Sequence, residues 1–448
     1  MQAEDCIRLF EQVREAARAL GVADIEAIVS FENQALTRFA NNAIHQNVAE
    51  RETQLSIRPQ LEGRTARAST NRLDRDSIRQ AVEEAVALTR LTEPDPTLPE
   101  MFAAPAPAYP SLDRHFAETA QATPRHRAQA VAEAIAIVEQ AGQTAAGIYS
   151  TGESISALLN SRGVFAHHAE TMARFSITAM APGSSGWAKA SNCRHSALHP
   201  AALARSAAQK AARSADPREL PPGRYTVILE PAAVLDLVGQ MAGDFSATAI
   251  RDGRSFLNDR IGAKLFGDNI TILDDAAHPA QSGPPFDGEG VPRRPLTLVD
   301  RGVVRDIAYS RQAAALDRAA PTGHGFPLPN EAGEAPTNLV ILGGHSTLEQ
   351  MIAASPRAIL VTRLWYIREV DPYQKIFTGM TRDGTFLIED GRIAAGLRNF
   401  RFNESLIDML SHVEALSEPV RASGEEAFDL VAPAMQVAAF NFTEVTRF

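Results

Sequence analysis

Apolar residues near the start of the chain recur at helical spacing (Ile7, Phe10, Val13, Ala17, Leu20), which predicts an amphipathic helix over 4–20 ended by Gly21. The pattern then switches to alternation. Ile25–Phe31, Leu36–Phe39 and Thr53–Ile57 read as strands of an antiparallel meander, with hairpin turns at Asn41-Asn42 and Glu62-Gly63. A second helix is predicted from about Asp76 to Thr89. Six prolines between Pro94 and Pro110 follow, and proline continues neither a helix nor a central strand.

After this linker the same order returns: a helix near 124–141, strands through 144–190 and a helix near 199–214. A shift of 120 residues aligns Ala49-Glu50 with Ala169-Glu170, Ser56-Ile57 with Ser176-Ile177, and Gly63 with Gly183. The front half therefore reads as a diverged duplication of a helix–meander–helix unit, each copy able to supply half of one layered sheet. Beyond Asp216–Gly223 the chain changes character. A strand at Arg224–Glu230 runs into a helix from Pro231, a residue suited to the first helical turn. Short apolar runs broken by Gly, Pro and Asp then predict a mainly β domain (Ile270–Leu273, Leu296–Val299, Val303-Val304, Leu339–Leu342, Ala358–Val361, Thr385–Ile388). The expected fold class is α+β: an amino-terminal duplicated helix–antiparallel meander–helix region in α/β layers, then a mainly β carboxy-terminal domain. The expected limits are 1–93 for the first unit, 94–112 for the linker, 113–217 for the second unit and 221–448 for the β domain.

Composition narrows the function. A length of 448 residues suits two or three domains. A net charge of −10 without a long basic run argues against a nucleic-acid surface. No basic-then-apolar leader opens the chain and no eighteen apolar residues run together, so neither a secretory signal nor a membrane span is expected. Two cysteines, Cys6 and Cys193, argue against a disulfide framework, and the expected location is cytoplasmic. No His-Glu-x-x-His, Cys-x-x-Cys, phosphate loop, dinucleotide fingerprint or Gly-x-Ser-x-Gly elbow is present.

Several strings nevertheless resemble the TldD/PmbA family. They are Leu36–Gln46; Ile270-Thr-Ile-Leu-Asp-Asp275 followed by Phe286-Asp-Gly-Glu-Gly-Val-Pro292 and Leu298–Val304; and Pro336-Thr-Asn-Leu-Val-Ile-Leu-Gly343. The resemblance runs from about 20 to 410. It implies a zinc-peptidase lineage in which TldD-type members carry His-Glu-x-x-x-His on the helix after the strand at 226–230. On this chain that hexamer falls on Leu235-Asp-Leu-Val-Gly-Gln240, so Leu235, Asp236 and Gln240 stand where the family has its first His, its catalytic Glu and its second His. Leucine has no lone pair and Gln is a poor zinc ligand. The family's third ligand, a carboxy-terminal Cys, has no counterpart after residue 193. Without zinc to acidify water, Asp236 has little to act on, and a solvated helix position is expected for it.

The resemblance therefore implies a PmbA (TldE)-like member that binds no zinc itself and pairs with a zinc-bearing TldD-like subunit to process or degrade small peptides. A historical gyrase-modulator label attaches to the family, but the acidic charge does not favour DNA contact.

Candidate peptide contacts are Arg363, Trp365, Arg368, Arg401 and Asn403. Alternation puts Arg363, Trp365 and Ile367 on one face of a strand and Leu364, Tyr366 and Arg368 on the other. Arginine can grip a carboxylate bidentately. Phe400 and Phe402 alternate with Arg401 and Asn403. His167-His168 point to opposite faces and are expected at the surface, while Asp287 and Glu289 sit in an acidic-glycine turn with possible cation affinity. Two alternatives stay open: a stand-alone peptide-binding homodimer without catalysis, and an enzyme with a relocated site at Asp236, His324 or Asp383. A metal held by His324 and His345 would need a third ligand that the sequence does not identify.

Overall fold

The computed structural model describes residues 1–104 and 109–446. Helix α1 (Ala3–Ala19) buries Cys6, Leu9, Phe10, Val13 and Ala17; Phe10, Val13 and Ala17 belong to the predicted stripe, but Ile7 is exposed and Cys6 and Leu9 face the core instead, and Gly21 ends the helix at φ +76°. Strands β1 (Asp24–Ala40) and β2 (Ala43–Leu61) form a long hairpin. Asn41 and Asn42 turn it at φ 50° and 59°, the left-handed pair that a tight hairpin needs. The two runs predicted at 25–31 and 36–39 are one strand. The polar residues between them keep their ladder partners and simply face a wetter part of the sheet. Short strands β3 (Arg64–Thr65) and β4 (Ala68–Thr70) pair with the end of β2, and helix α2 (Arg75–Leu91) starts at Asp74, whose carboxylate accepts from Ser77 N at 3.0 Å.

The second unit contains a short helix α3 (Ala117–Ala120), helix α4 (Pro124–Gln140), strands β5 (Thr144–Asn160), β6 (Phe165–Ala181) and β7 (Ser184–Asn192), and helix α5 (Pro200–Arg213). All the strands so far form one sheet in the order β3-β2-β1-β5-β6-β7, with β4 beside β2. The central β1–β5 pair is antiparallel, and Asn33 lies opposite Glu153. These residues are 120 apart in sequence and joined by a 3.4 Å hydrogen bond. A strand pairing with its own equivalent at the duplication offset makes that pair the pivot of a local two-fold. Each helix pair covers its own half of one face, through separate apolar cores around Val13, Ile25 and Val82 and around Val131, Phe175 and Ala207.

The carboxy-terminal part begins with β8 (Gly223–Leu229) and α6 (Pro231–Val238). A six-stranded sheet contains β9 (Ile272–Asp274), β10 (Leu296–Asp300), β11 (Val303–Val304) and β12 (Leu339–Ile341), joined late in the chain by β18 (Val420–Ala422) and β19 (Leu430–Ala432). The other sheet contains β8, β13 (Arg357–Asp371), β14 (Ile376–Glu389), β15 (Arg392–Gly396), β16 (Phe400–Ser405), β17 (Val413–Leu416) and β20 (Met435–Val445). Because β13 pairs with both β8 and β14, this sheet closes on itself. Phe377, Phe400, Phe402, Phe440 and Phe442 fill its interior, continuous with the apolar faces of α6 and the six-stranded sheet.

The proline-rich segment is no free tether where it is described; Pro105 and Pro107 of the predicted linker lie outside the described residues. The Gln60 amide donates to Pro99 O at 3.0 Å, and Tyr109 Oη donates to Gly290 O at 2.5 Å. Buried Arg114 donates to the carbonyls of Gly283, Ala276 and His278. The helix-free face of the amino-terminal sheet meets the carboxy-terminal part at both ends. Ile28, Leu158, Val164 and Ala166 pack on Phe286 at one end, and Ser191 bonds Ser423 and Asp429 at the other. No described helix is long and apolar enough to cross a membrane.

Candidate functional site

Helix α6 is apolar almost throughout, so it sits inside the core rather than on the surface. Leu235 is fully buried there. Asp236 is also fully buried, which corrects the expectation of a solvated helix position. Its Oδ1 accepts from the backbone N–H groups of Glu425 (3.2 Å) and Glu426 (3.1 Å), and its Oδ2 faces Leu364 N at 3.4 Å. Burial, only partly offset by these donors, pushes its pKa up to about 6. Gln240 completes the fastening by donating to Glu426 O at 3.0 Å. Glu426 in turn accepts from Tyr366 N (2.7 Å) and Ile367 N (3.2 Å). The motif positions thus bind a loop, 423–429, to strand β13. This donor set does not fit zinc: Leu235 offers no lone pair, and Asp236 and Gln240 are spent on backbone groups.

The loop contact reshapes β13. Tyr366 adopts φ +58° and the ladder to β14 slips between Trp365 and Arg368. Leu364 and Ile367 consequently both face the core, and the predicted strict alternation fails at the bulge. Arg363 is buried rather than free: its guanidinium pairs with Asp383 and lies between the rings of Trp187 and Trp365, 5.0 and 5.3 Å from their centroids. The remaining candidates do come together. Trp365, Met380 and Arg401 form one cross-strand row, and Arg368, Thr378 and Asn403 the next. They occupy the outside of the closed sheet, with Phe400 and Phe402 inside it. Arg368 lies over the Tyr366 ring at 4.4 Å, Arg382 over Trp365 at 5.0 Å, and Asn403 is exposed.

Other sequence candidates serve the framework. Asp287 accepts from the N–H groups of Glu289, Val291 and Gly325 at 2.8–2.9 Å, and Glu289 accepts from Arg311 N at 2.8 Å. Both carboxyls are buried and raised in pKa, Glu289 also by the Asp287 charge. The turn is therefore held by its own backbone. His324 is buried, with Nε2 2.9 Å from Asp274 and Nδ1 2.9 Å from Thr322, whereas His345 is exposed. His168 is 6% exposed, contrary to the surface expectation, because it faces the domain junction beside Glu170.

The structure also gathers residues that sequence reading missed. Arg174 on β6, Arg293 and Arg421 surround Asp429 in a cleft between the amino-terminal sheet and the carboxy-terminal part, with Thr337 and Asn338 beside them. Only Thr337-Asn338, within the string Pro336–Gly343, carried any signal in the sequence.

Family models described as PmbA/TldA metallopeptidase domain 1, central domain and C-terminal domain match residues 25–89, 117–215 and 222–444. A protein named Metalloprotease from Methanothermobacter thermautotrophicus is 24% identical over 61% of this chain and 62% of its own length, so the match spans under two thirds of that relative. Metalloprotease PmbA of Escherichia coli O157:H7 is 21% identical over 86% of this chain and 85% of its own. The crystal structure of TldE from Thermococcus kodakarensis superposes with a TM-score of 0.87 at 19% identity, covering 99% of this chain and 100% of that one, which establishes the shared fold. From its first sheet to its last strand, then, the chain belongs to the PmbA/TldD metallopeptidase family.

Proposed function

We propose that the chain is a non-catalytic, TldE/PmbA-like subunit of a TldD-type zinc metallopeptidase complex that processes or degrades small peptides in the cytoplasm. The carrying observation is the occupancy of the three motif positions: Leu235 is core, while Asp236 and Gln240 are committed to the 423–429 loop. On this reading the partner, a TldD-like subunit, supplies the zinc, and this chain supplies peptide-contacting surface and subunit contacts. The outer face carrying Trp365, Arg368, Arg382 and Arg401 suits the second role, since Trp and Arg are enriched at protein interfaces.

Two measurements test the reading. Elemental analysis of untagged protein is expected to find almost no zinc per chain; zinc that survives chelator challenge refutes the reading and makes His324 and His345 the first residues to replace. Peptidase assays with a zinc-motif homologue from the same genome are expected to show activity that requires both chains. Activity of the homologue that is unchanged when this chain is omitted also refutes it. Saturable peptide binding by a symmetric homodimer, with no response to the homologue, is the outcome of the stand-alone alternative.

A further inference from the structure

The arginine cleft leads to an inference about the ligand. Its wider part, of about 280 Å³, is lined by Arg174, Arg293, Arg421, Thr337, Asn338 and Asp429. One carboxylate faces three guanidinium groups, so the cleft has a surplus of positive charge on a chain whose net charge is −10. Arg421 is already occupied by Ser191, Ala280 O, Ser282 and Asp429. The other two are only partly engaged. Arg293 lines the cleft half-buried and bonds Thr337 and Asn338 through Nη1 alone among the described residues. Arg174 is half-exposed, and its nearest charged group is Asp429 at 3.7 Å.

The surroundings hold these donors in place. Asp274, buried, accepts from Asn338 N at 2.7 Å and from His324, and the Asn338 amide donates to Ser282 O at 2.7 Å. Two of the strings singled out in the sequence, Ile270–Asp275 and Pro336–Gly343, therefore meet at this wall. Arg174 and Ser282 also line a second cavity, of about 210 Å³, on the helix-free face of the amino-terminal sheet. There the lining turns acidic and neutral, with Glu32, Gln34, Ser154, Glu170 and Met172. Two adjoining cavities thus give the cleft a cationic end and an anionic end.

We propose that this cleft binds a short peptide as a zwitterion, with the free C-terminal carboxylate at Arg174 and Arg293 and the amino terminus toward Glu32 and Glu170. It shares with the functional reading only the premise that peptides are the ligand. A carboxylate gains charge-assisted hydrogen bonds from two guanidinium groups that are only partly engaged, and an ammonium gains carboxylate neighbours. Longer chains are selected against because both termini must be free.

Calorimetric titration of this chain alone tests the proposal, using trialanine as the free acid, the C-terminal amide and the N-acetyl form. The free acid is expected to bind at least about tenfold more tightly than the amide, the loss expected for one charge-assisted contact. Arg174→Gln, at a half-exposed position, is expected to weaken the free acid while leaving the amide unchanged, and Arg293→Gln to do the same with a melting temperature near that of the parent. Equal binding of acid and amide, or no binding of the free acid, overturns the proposal. So does inorganic phosphate that displaces the free acid as well as trialanine itself does, since that result describes a general anion site. Because no partner chain is present, these outcomes are independent of whether the paired complex has peptidase activity.

Discussion

Asp236 offers the sharpest test of the rebuilt motif, because its environment makes stability depend on pH in an unusual direction. Its pKa rises from an ordinary 3.8 to about 6 on folding, chiefly through burial. Between those values the folded chain holds the proton more tightly than the unfolded chain, so its contribution is most favourable below pH 3.8 and is lost as pH rises through 6. About two pKa units correspond to roughly 3 kcal/mol.

Asp236→Asn removes the ionisation and keeps an oxygen for the N–H groups of Glu425 and Glu426. Relative to the parent it is expected to gain stability progressively from pH 4 to pH 6 and hold that gain above. Urea unfolding midpoints of both proteins at pH 4 and pH 7.5 measure the change. Taking the difference cancels Asp244, Asp287 and Glu289, which are also raised by burial. Asp236→Leu has the opposite effect at pH 4, where it leaves those N–H groups without an acceptor at a cost of about 1–3 kcal/mol. A difference between parent and Asp236→Asn that stays constant across this range refutes the reasoning.

Two further substitutions probe neighbouring contacts. Asp383→Asn leaves the Arg363 guanidinium buried without its counter-charge, and a loss of about 3–5 kcal/mol in unfolding free energy is expected. A loss below about 1 kcal/mol would place Arg363 in solvent, contrary to the structure. Gly424→Ala sets a methyl group 2.3 Å from Asp236 Oδ1 and 2.4 Å from Leu235 Cδ2, so the 423–429 loop must move. Limited proteolysis is expected to cut this variant faster within the loop, and unchanged cleavage would show that the loop is not held by α6.

Burial was legible in the sequence where it follows local periodicity. Phe10, Val13 and Ala17 of the α1 stripe, the Asn41-Asn42 turn and the 120-residue offset were readable, because side-chain period and turn chemistry are properties of neighbouring residues. The same local logic failed at Tyr366. A loop sixty residues away supplies the acceptor that bends the strand there, and no pattern within β13 records it.

The order of helices and strands, the 120-residue repeat of the front half and the lack of histidine at 235 and 240 are legible from neighbouring residues alone. What those positions do instead depends on segments far away in the chain. Asp236 reaches Glu425 and Glu426 across 189 and 190 residues, and Arg421 reaches Ser191 across 230. A charge of ordinary appearance becomes a buried anchor or a cleft donor only when distant segments exclude water around it, because desolvation and hydrogen-bond partners depend on the packed neighbours.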